Sequence, residues 1–453
     1  MMHHAHVLRI ALFTLVTAAM LAGCAETTRP QSSGKGMVRG INAIVTAPEL
    51  AFLIEERNQG NVNFKEVNGF KAWDDLSYNF NFDLLLPGSS VRDRIASQFI
   101  DVVADTEYTL VLTGTLDNPS ILLWEAPERT WDGTETAFEV DFAHLSPQLG
   151  QVDVYFATAG TAPVLGNQVG TLSNGDRLPY QEFPEGDYEI TVTAPGDPAT
   201  VLFQSAALTR SATTRVTVAL FDKDPSIVAD VAVSIISAGG VSQALADVNT
   251  PPLLRAYHSA FGTENFDGFL NDDFNNISFP NVGFGELSGY VDLTEVETPV
   301  TLTAVGNSGA IIHNATVQLV VNSRRTLALF GQPGALFTRT LLHDARPLDT
   351  FPVARITDLS SNIDVLDIYD VEGGTAIDDQ VSPRFGGIVP GVSTTFFAAT
   401  AGSREFVITL NGEKAPIAAP LALDLAAGDI VDMVIVDTAD PATVELRILE
   451  STP

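Results

Sequence analysis

The residues best equipped for chemistry in this chain are oxygen donors gathered in one stretch, Asn271-Asp272-Asp273-Phe274-Asn275-Asn276. Carboxylate and amide oxygens at that density are the hard ligands calcium prefers, with Asp272, Asp273 and Asn275 as the candidate set. The stretch lacks the glycine and the distant glutamate of an EF-hand, so turn acids that bond their own backbone are the plainer reading. A calcium ion, if bound, would stiffen a loop or a joint. Asp74-Asp75, Asp222-Lys223-Asp224 and Asp378-Asp379 are thinner versions of the same pattern. Beyond the N-terminal region lie four histidines, His144, His258, His313 and His343. His144 and His258 fall at matching places just before a turn, where related segments carry Val45 and Asp358. They are therefore expected to bond backbone, since a metal needs several ligands converging on one point. The chain has no G-x-S-x-G elbow, His-Glu-x-x-His helix, P-loop or paired Cys-x-x-Cys. Gly283 to Gly289 is one residue too long for a dinucleotide fingerprint. The expectation is a protein that is not an enzyme. Paired carboxylates can cleave glycans without any motif, so an envelope hydrolase is the alternative.

Residues 1–23 hold one base, Arg9, and no acid; the remainder has 23 Lys+Arg against 56 Asp+Glu, a net charge of −33. A field of that sign repels phosphate backbones and makes nucleic acid a poor partner. The apolar run from Ile10 to Ala22 is too short for the ~20 residues that span a bilayer. It ends in Leu21-Ala22-Gly23-Cys24, and Cys24 is the sole cysteine. This sequence resembles the lipobox of bacterial lipoproteins, which implies a signal peptide over 1–23, lipid on Cys24 and a membrane-lipid partner through that residue. Two or three acyl chains hold a protein stably where one does not. Ala25 after the cysteine implies an outer-membrane destination. Residues 24–36 read as the lipidated cysteine and a flexible tether, with a reach of roughly 20 Å.

The elements that must position any site repeat along the chain. An alternating strand, a turn and a second strand open four segments: Val38 to Pro48 then Leu50 to Ile54; Asp141-Phe142-Ala143-His144-Leu145-Ser146-Pro147 then Gln151 to Phe156; Leu253 to Ala260 then Phe266 to Leu270; Val353 to Ser361 then Ile363 to Tyr369. The short connection suggests antiparallel pairing of the two strands. A penultimate strand follows each opening, at Glu107 to Leu112, Thr214 to Leu220, Arg324 to Phe330 and Asp429 to Val436, and a closing strand follows that. Val91 to Val103 alone has spacing compatible with a short helix, a strand being the competing assignment. Alternation is expected to bury one face and wet the other. The fold class expected is all-β, four tandem immunoglobulin-like antiparallel β-sandwich domains at 37–125, 137–237, 253–343 and 353–450.

The opening strand, its His-Leu-Ser-Pro turn and the Val152-Asp153-Val154-Tyr155 that follows resemble the tandem β-sandwich domain catalogued as domain of unknown function four-three-nine-seven. That resemblance implies an immunoglobulin-like fold in a cell-envelope setting and carries no site residues with it. The function expected is a lipid-anchored spacer and binding surface for an envelope protein or polysaccharide. Trp131, and Phe261, Phe266, Phe269 and Phe274, are aromatics that would line such a surface or pack domains together.

Overall fold

The structure, a computed structural model, describes residues 31–86, 91–224 and 227–452. The leader, Cys24 and most of the tether lie outside them. Among the described residues there is no α-helix; strands form eight sheets, stacked two by two into four sandwiches. The first sandwich comprises β1 (Lys35–Asn42), β2 (Leu50–Ile54), β3 (Arg57–Val62), β4 (Lys71–Asp74), β5 (Ser77–Leu85), β6 (Arg92–Asp101), β7 (Thr106–Gly114) and β8 (Pro119–Pro127). One sheet has the order β4-β1-β7-β8 and the other β3-β2-β5-β6.

The second sandwich follows with β9 (Ala137–Leu145), β10 (Val152–Thr158), β11 (Gly170–Leu172), β12 (Gln181–Pro184), β13 (Gly186–Ala194), β14 (Asp197–Gln204), β15 (Leu208–Arg210), β16 (Arg215–Phe221), β17 (Ala232–Ser237) and β18 (Ser242–Leu245). The third has β19 (Leu253–His258), β20 (Phe266–Leu270), β21 (Phe279–Val282), β22 (Val291–Asp292), β23 (Glu297–Ala304), β24 (Asn307–Gln318), β25 (Arg324–Gln332) and β26 (Ala335–Leu342). The fourth has β27 (Val353–Asp358), β28 (Leu366–Glu372), β29 (Phe385–Ile388), β30 (Phe397–Ala398), β31 (Gly402–Leu410), β32 (Leu421–Leu425), β33 (Ile430–Asp437) and β34 (Val444–Thr452). All four share the strand order of the first, the second adding β15 and β18 at its edges. The fold is therefore the all-β, four-sandwich array that the recurring openings predict. β18 lies inside the proline-bearing stretch 238–252, so the sheet of the second domain runs further than its closing strand alone suggests.

In every sandwich the first strand runs parallel to the penultimate one: β1 with β7, β9 with β16, β19 with β25, β27 with β33. The other ladders are antiparallel. This corrects the expected pairing of the opening strands. β1 and β2, and their counterparts, lie in opposite sheets, and the turn carries the chain across the core. The connections, such as residues 43–49 and 359–365, are longer than the two- to five-residue loops that close hairpins. Val91 to Val103 is the edge strand β6 rather than a helix, because the free edge of β5 takes up its backbone groups.

The four cores are conventional clusters of inward side chains, for example Phe52, Phe80 and Phe82 with Leu110 in the first domain and Phe142, Val154, Ile190 and Val218 in the second. The first and penultimate strands, however, are buried on both faces, against the expected alternation. Their outer faces meet those of a neighbouring domain. Ile41, Val111 and Trp124 pack on Ala143, Ala219, Phe221 and Ile236 to join the first two domains. Tyr257, Ala328 and Phe330 pack on Leu359, Val434 and Val436 to join the last two. Between these pairs the links are polar: Asn322 Oδ1 accepts the N–H groups of Val228 (2.8 Å) and Ala229 (2.6 Å). The joint before the fourth domain folds back onto the first, Arg346 donating to Val45 O (2.6 Å) and Asn63 Oδ1 (3.1 Å), and Thr46 donating to Asp349 (2.5 Å).

Candidate functional site

The parallel ladders fix which residues are equivalent, and they place Asn42, His144, His258 and Asp358 at one position. Asn42, not Val45, is thus the counterpart of the histidines. Each side chain accepts the N–H two residues on: Ile44 to Asn42 Oδ1 (3.0 Å), Ser146 to His144 Nδ1 (3.3 Å), Ala260 to His258 Nδ1 (3.3 Å) and Ser360 to Asp358 Oδ1 (2.9 Å). In three of them a nitrogen also reaches the carbonyl six residues on, at Pro48 (3.5 Å), Gly150 (3.0 Å) and Glu264 (3.1 Å). The position is a brace for the turn that crosses the core. Asp222 and Asp437, just past β16 and at the end of β33, lock the same turn: Ser146 and Gln148 donate to Asp222, and Ser361 and Asn362 to Asp437.

The aspartate of Val152-Asp153-Val154-Tyr155 has counterparts in Asp267 and Asp367, all buried on the second strand. Asp153 accepts Gly196 N–H (2.7 Å), Asp267 accepts Gly306 (2.8 Å) and Asn281 (2.8 Å), and Asp367 accepts Gly412 (2.8 Å) and Gly387 (3.0 Å). The carboxylate ties a distant hairpin to its sheet, so the motif is a clamp. In the oxygen-rich loop, Asp273 accepts Asn275 N–H (3.2 Å) and Asn276 Nδ2 (2.5 Å), while Asp272 accepts the Thr301 hydroxyl (3.1 Å). Asp272, Asp273 and Asn275 are exposed and serve the turn itself, which holds Asn271 and Asp272 at positive φ. Among the described residues no group of three His, Cys, Asp or Glu side chains converges on a metal-sized point. Phe266 and Phe269 are buried, whereas Phe274 leans on Phe269 at 5.3 Å and stays partly exposed.

The charged residues that the structure does bring together are arginines. Arg39, Arg255 and Arg355 occupy one position on their first strands; the second domain has Asp141 there. Arg39 donates to Thr109 (2.9 Å) and across the junction to Ser237 O (2.9 Å). Arg255 donates to Thr326 (2.9 Å) and across to Glu450 (2.6 Å), and Arg355 grips Asp432 with two prongs (3.1 and 2.5 Å) and reaches Leu342 O (2.5 Å). Each lies over the aromatic ring that precedes the fourth strand of its domain: Phe70 at 4.2 Å, Tyr290 at 4.6 Å, Phe396 at 4.4 Å. Where Asp141 stands instead, paired with Arg177, the ring of Tyr180 is covered by Arg215 at 4.1 Å. Arginine suits this place because its flat cation stacks on a ring while its edge donates to oxygens.

Each junction is therefore apolar at one end and ionic at the other. At the second junction the ionic end encloses a cavity of about 130 Å³ lined by Tyr290, Arg324, His343, Phe396, Asp432 and Glu450. Burial, with Arg255, Arg355 and Arg324 adding to it, pushes the His343 imidazole down to about 3. It is neutral at ordinary pH and hydrogen-bonds Thr326 (2.7 Å). At the first junction a more open cleft of about 480 Å³ is lined by Arg129, Trp131, Arg210 and Arg215, with Arg129 over the Trp131 ring at 4.3 Å. Sequence reasoning missed the arginines. Their signal was present: in a chain with few bases, three of four opening strands carry arginine at the same place.

Residues 36–155 match the family described as Domain of unknown function (DUF4397). The span runs from the second residue of β1 through the rest of the first sandwich to β9 and the start of β10, ending on Tyr155 of the clamp motif. No curated protein matches this chain.

Proposed function

We propose that this is a lipid-anchored, non-enzymatic cell-envelope protein whose paired sandwiches form a binding body for a protein or polysaccharide partner at the outer membrane. The observation that carries this reading is the pairing itself. It uses up one sheet of each domain and leaves the other four outward, with the exposed edge strands β6, β14, β24 and β32. Cys24, acylated, and a short tether would hold that body at the membrane. Rigid sandwiches displaying sheets and end loops are a common recognition design.

The buried acids named above are engaged in clamping strands and turns. Asp432 and Glu450 share a cavity, yet each is held by an arginine, and the space is below the roughly 300 Å³ of small-molecule sites. A glycan flanked by two free carboxyls does not fit there, which favours binding over hydrolysis. The test has two arms. A palmitate analogue fed to the producing cells should label the protein and fail to label Cys24→Ser. Residues 31–453, immobilised, should retain an envelope polysaccharide or protein at micromolar concentration and release no cleaved glycan; absence of any retained component, or cleavage, refutes the reading.

A further inference from the structure

We infer that the cavity between the third and fourth sandwiches is a binding site for one small oxyanion, a carboxylate or a phosphate, received by the Arg324 guanidinium. The first junction supplies an internal control. Ladder positions equate Glu107, Arg215, Arg324 and Ile430, the first outward residue of each penultimate strand. In the first pair, Arg215 meets Glu107 of the facing domain at 2.9 Å. In the second pair the equivalent residues are Arg324 and Ile430, which line the same cavity, so the acid that stands at this position in the first pair is absent. Arg324 Nε is buried without a hydrogen-bond partner, and among the described residues no carboxylate pairs with its side chain.

At the second junction Arg255 is paired with Glu450 and Arg355 with Asp432, which leaves Arg324 the base of this cavity without an ion pair among the described residues, and His343 is uncharged. Arg324 is half-buried with its Nε fully enclosed; a guanidinium so placed without a counter-charge is disfavoured, and a hydrogen-bonded anion lowers that cost. A guanidinium edge matches the paired oxygens of carboxylate or phosphate. The volume, about 130 Å³, accommodates roughly four waters or one such group, and the walls of Tyr290 and Phe396 exclude anything bulkier. This inference is independent of the proposed envelope function.

The test is thermal unfolding of the whole soluble protein at constant ionic strength, with acetate or inorganic phosphate replacing chloride. The wild type should rise in Tm by several degrees and saturate in at least one series, because a ligand that binds only the folded state stabilises it by mass action. The series that saturates at lower concentration identifies the preferred oxyanion. Arg324→Gln should lose the response. Ile430→Glu, which puts back the carboxylate of the first pair, should melt higher in chloride and also lose the response. No wild-type response up to about 50 mM of either anion overturns the inference, as does a full response in either variant. If Arg324→Gln does not fold, Ile430→Glu alone decides.

Discussion

Asp358 holds the place of Asn42, His144 and His258, and of the four it is the one whose ionised side chain has no hydrogen to donate. Its Oδ2 is buried without a partner. Burial pushes its carboxyl up to about 6, against the hydrogen bonds from Ser360. The folded state therefore keeps a proton that the unfolded chain has already lost near pH 4, and stability falls as pH rises from about 4 through 6. Asp358→Asn retains the acceptor for Ser360 and gains a donor placed like Asn42 Nδ2. We expect it to be more stable than the wild type at pH 8 by about 1–3 kcal/mol, with the gap closing toward pH 4, in urea unfolding at the two pH values.

At the scale of strands, the clamp on the second strand sets how the neighbouring strands and turns of its own sheet hold together at one end. Asp367→Ala would leave the N–H groups of Gly387 and Gly412 without their acceptor, and should cost about 2–4 kcal/mol in denaturant unfolding. Asp367→Asn, which can still accept, should recover part of that. The strands themselves were legible, because an opening such as Val152-Asp153-Val154-Tyr155 carries its period in adjacent residues. Their partners were not. The turn at Ser146-Pro147 looks alike whether it closes a hairpin or crosses a core, and only residues far along the chain, such as Asp222, decide between them. The ionic layer was hidden for the same reason: Arg39 acquires its meaning from Ser237, and Arg255 from Glu450, each about two hundred positions away.

At the scale of the molecule, the first pair closes on bare backbone. A β-carbon on Gly240, whose φ is +85°, would lie 2.2 Å from the Gly69 nitrogen of the first domain. Gly240→Ala should weaken the first junction by about 2 kcal/mol, seen as an earlier calorimetric transition for the first two domains, while the second pair is unaffected. Small-angle scattering of residues 31–453 should give a radius of gyration of about 22–28 Å, near that of one compact body of this length. A linear row of four sandwiches would scatter with a much larger value. Arg346→Ala should raise the radius by freeing the joint that lies on Val45 and Asn63.

Since each domain spends one sheet on its neighbour, such a protein can only be lengthened or trimmed in twos. A fragment ending after the first or third sandwich would present Ile41, Val111 and Trp124, or Tyr257 and Phe330, to water as a sticky flat wall, and would self-associate or precipitate. Cut near residue 250, the same chain should yield two well-behaved halves.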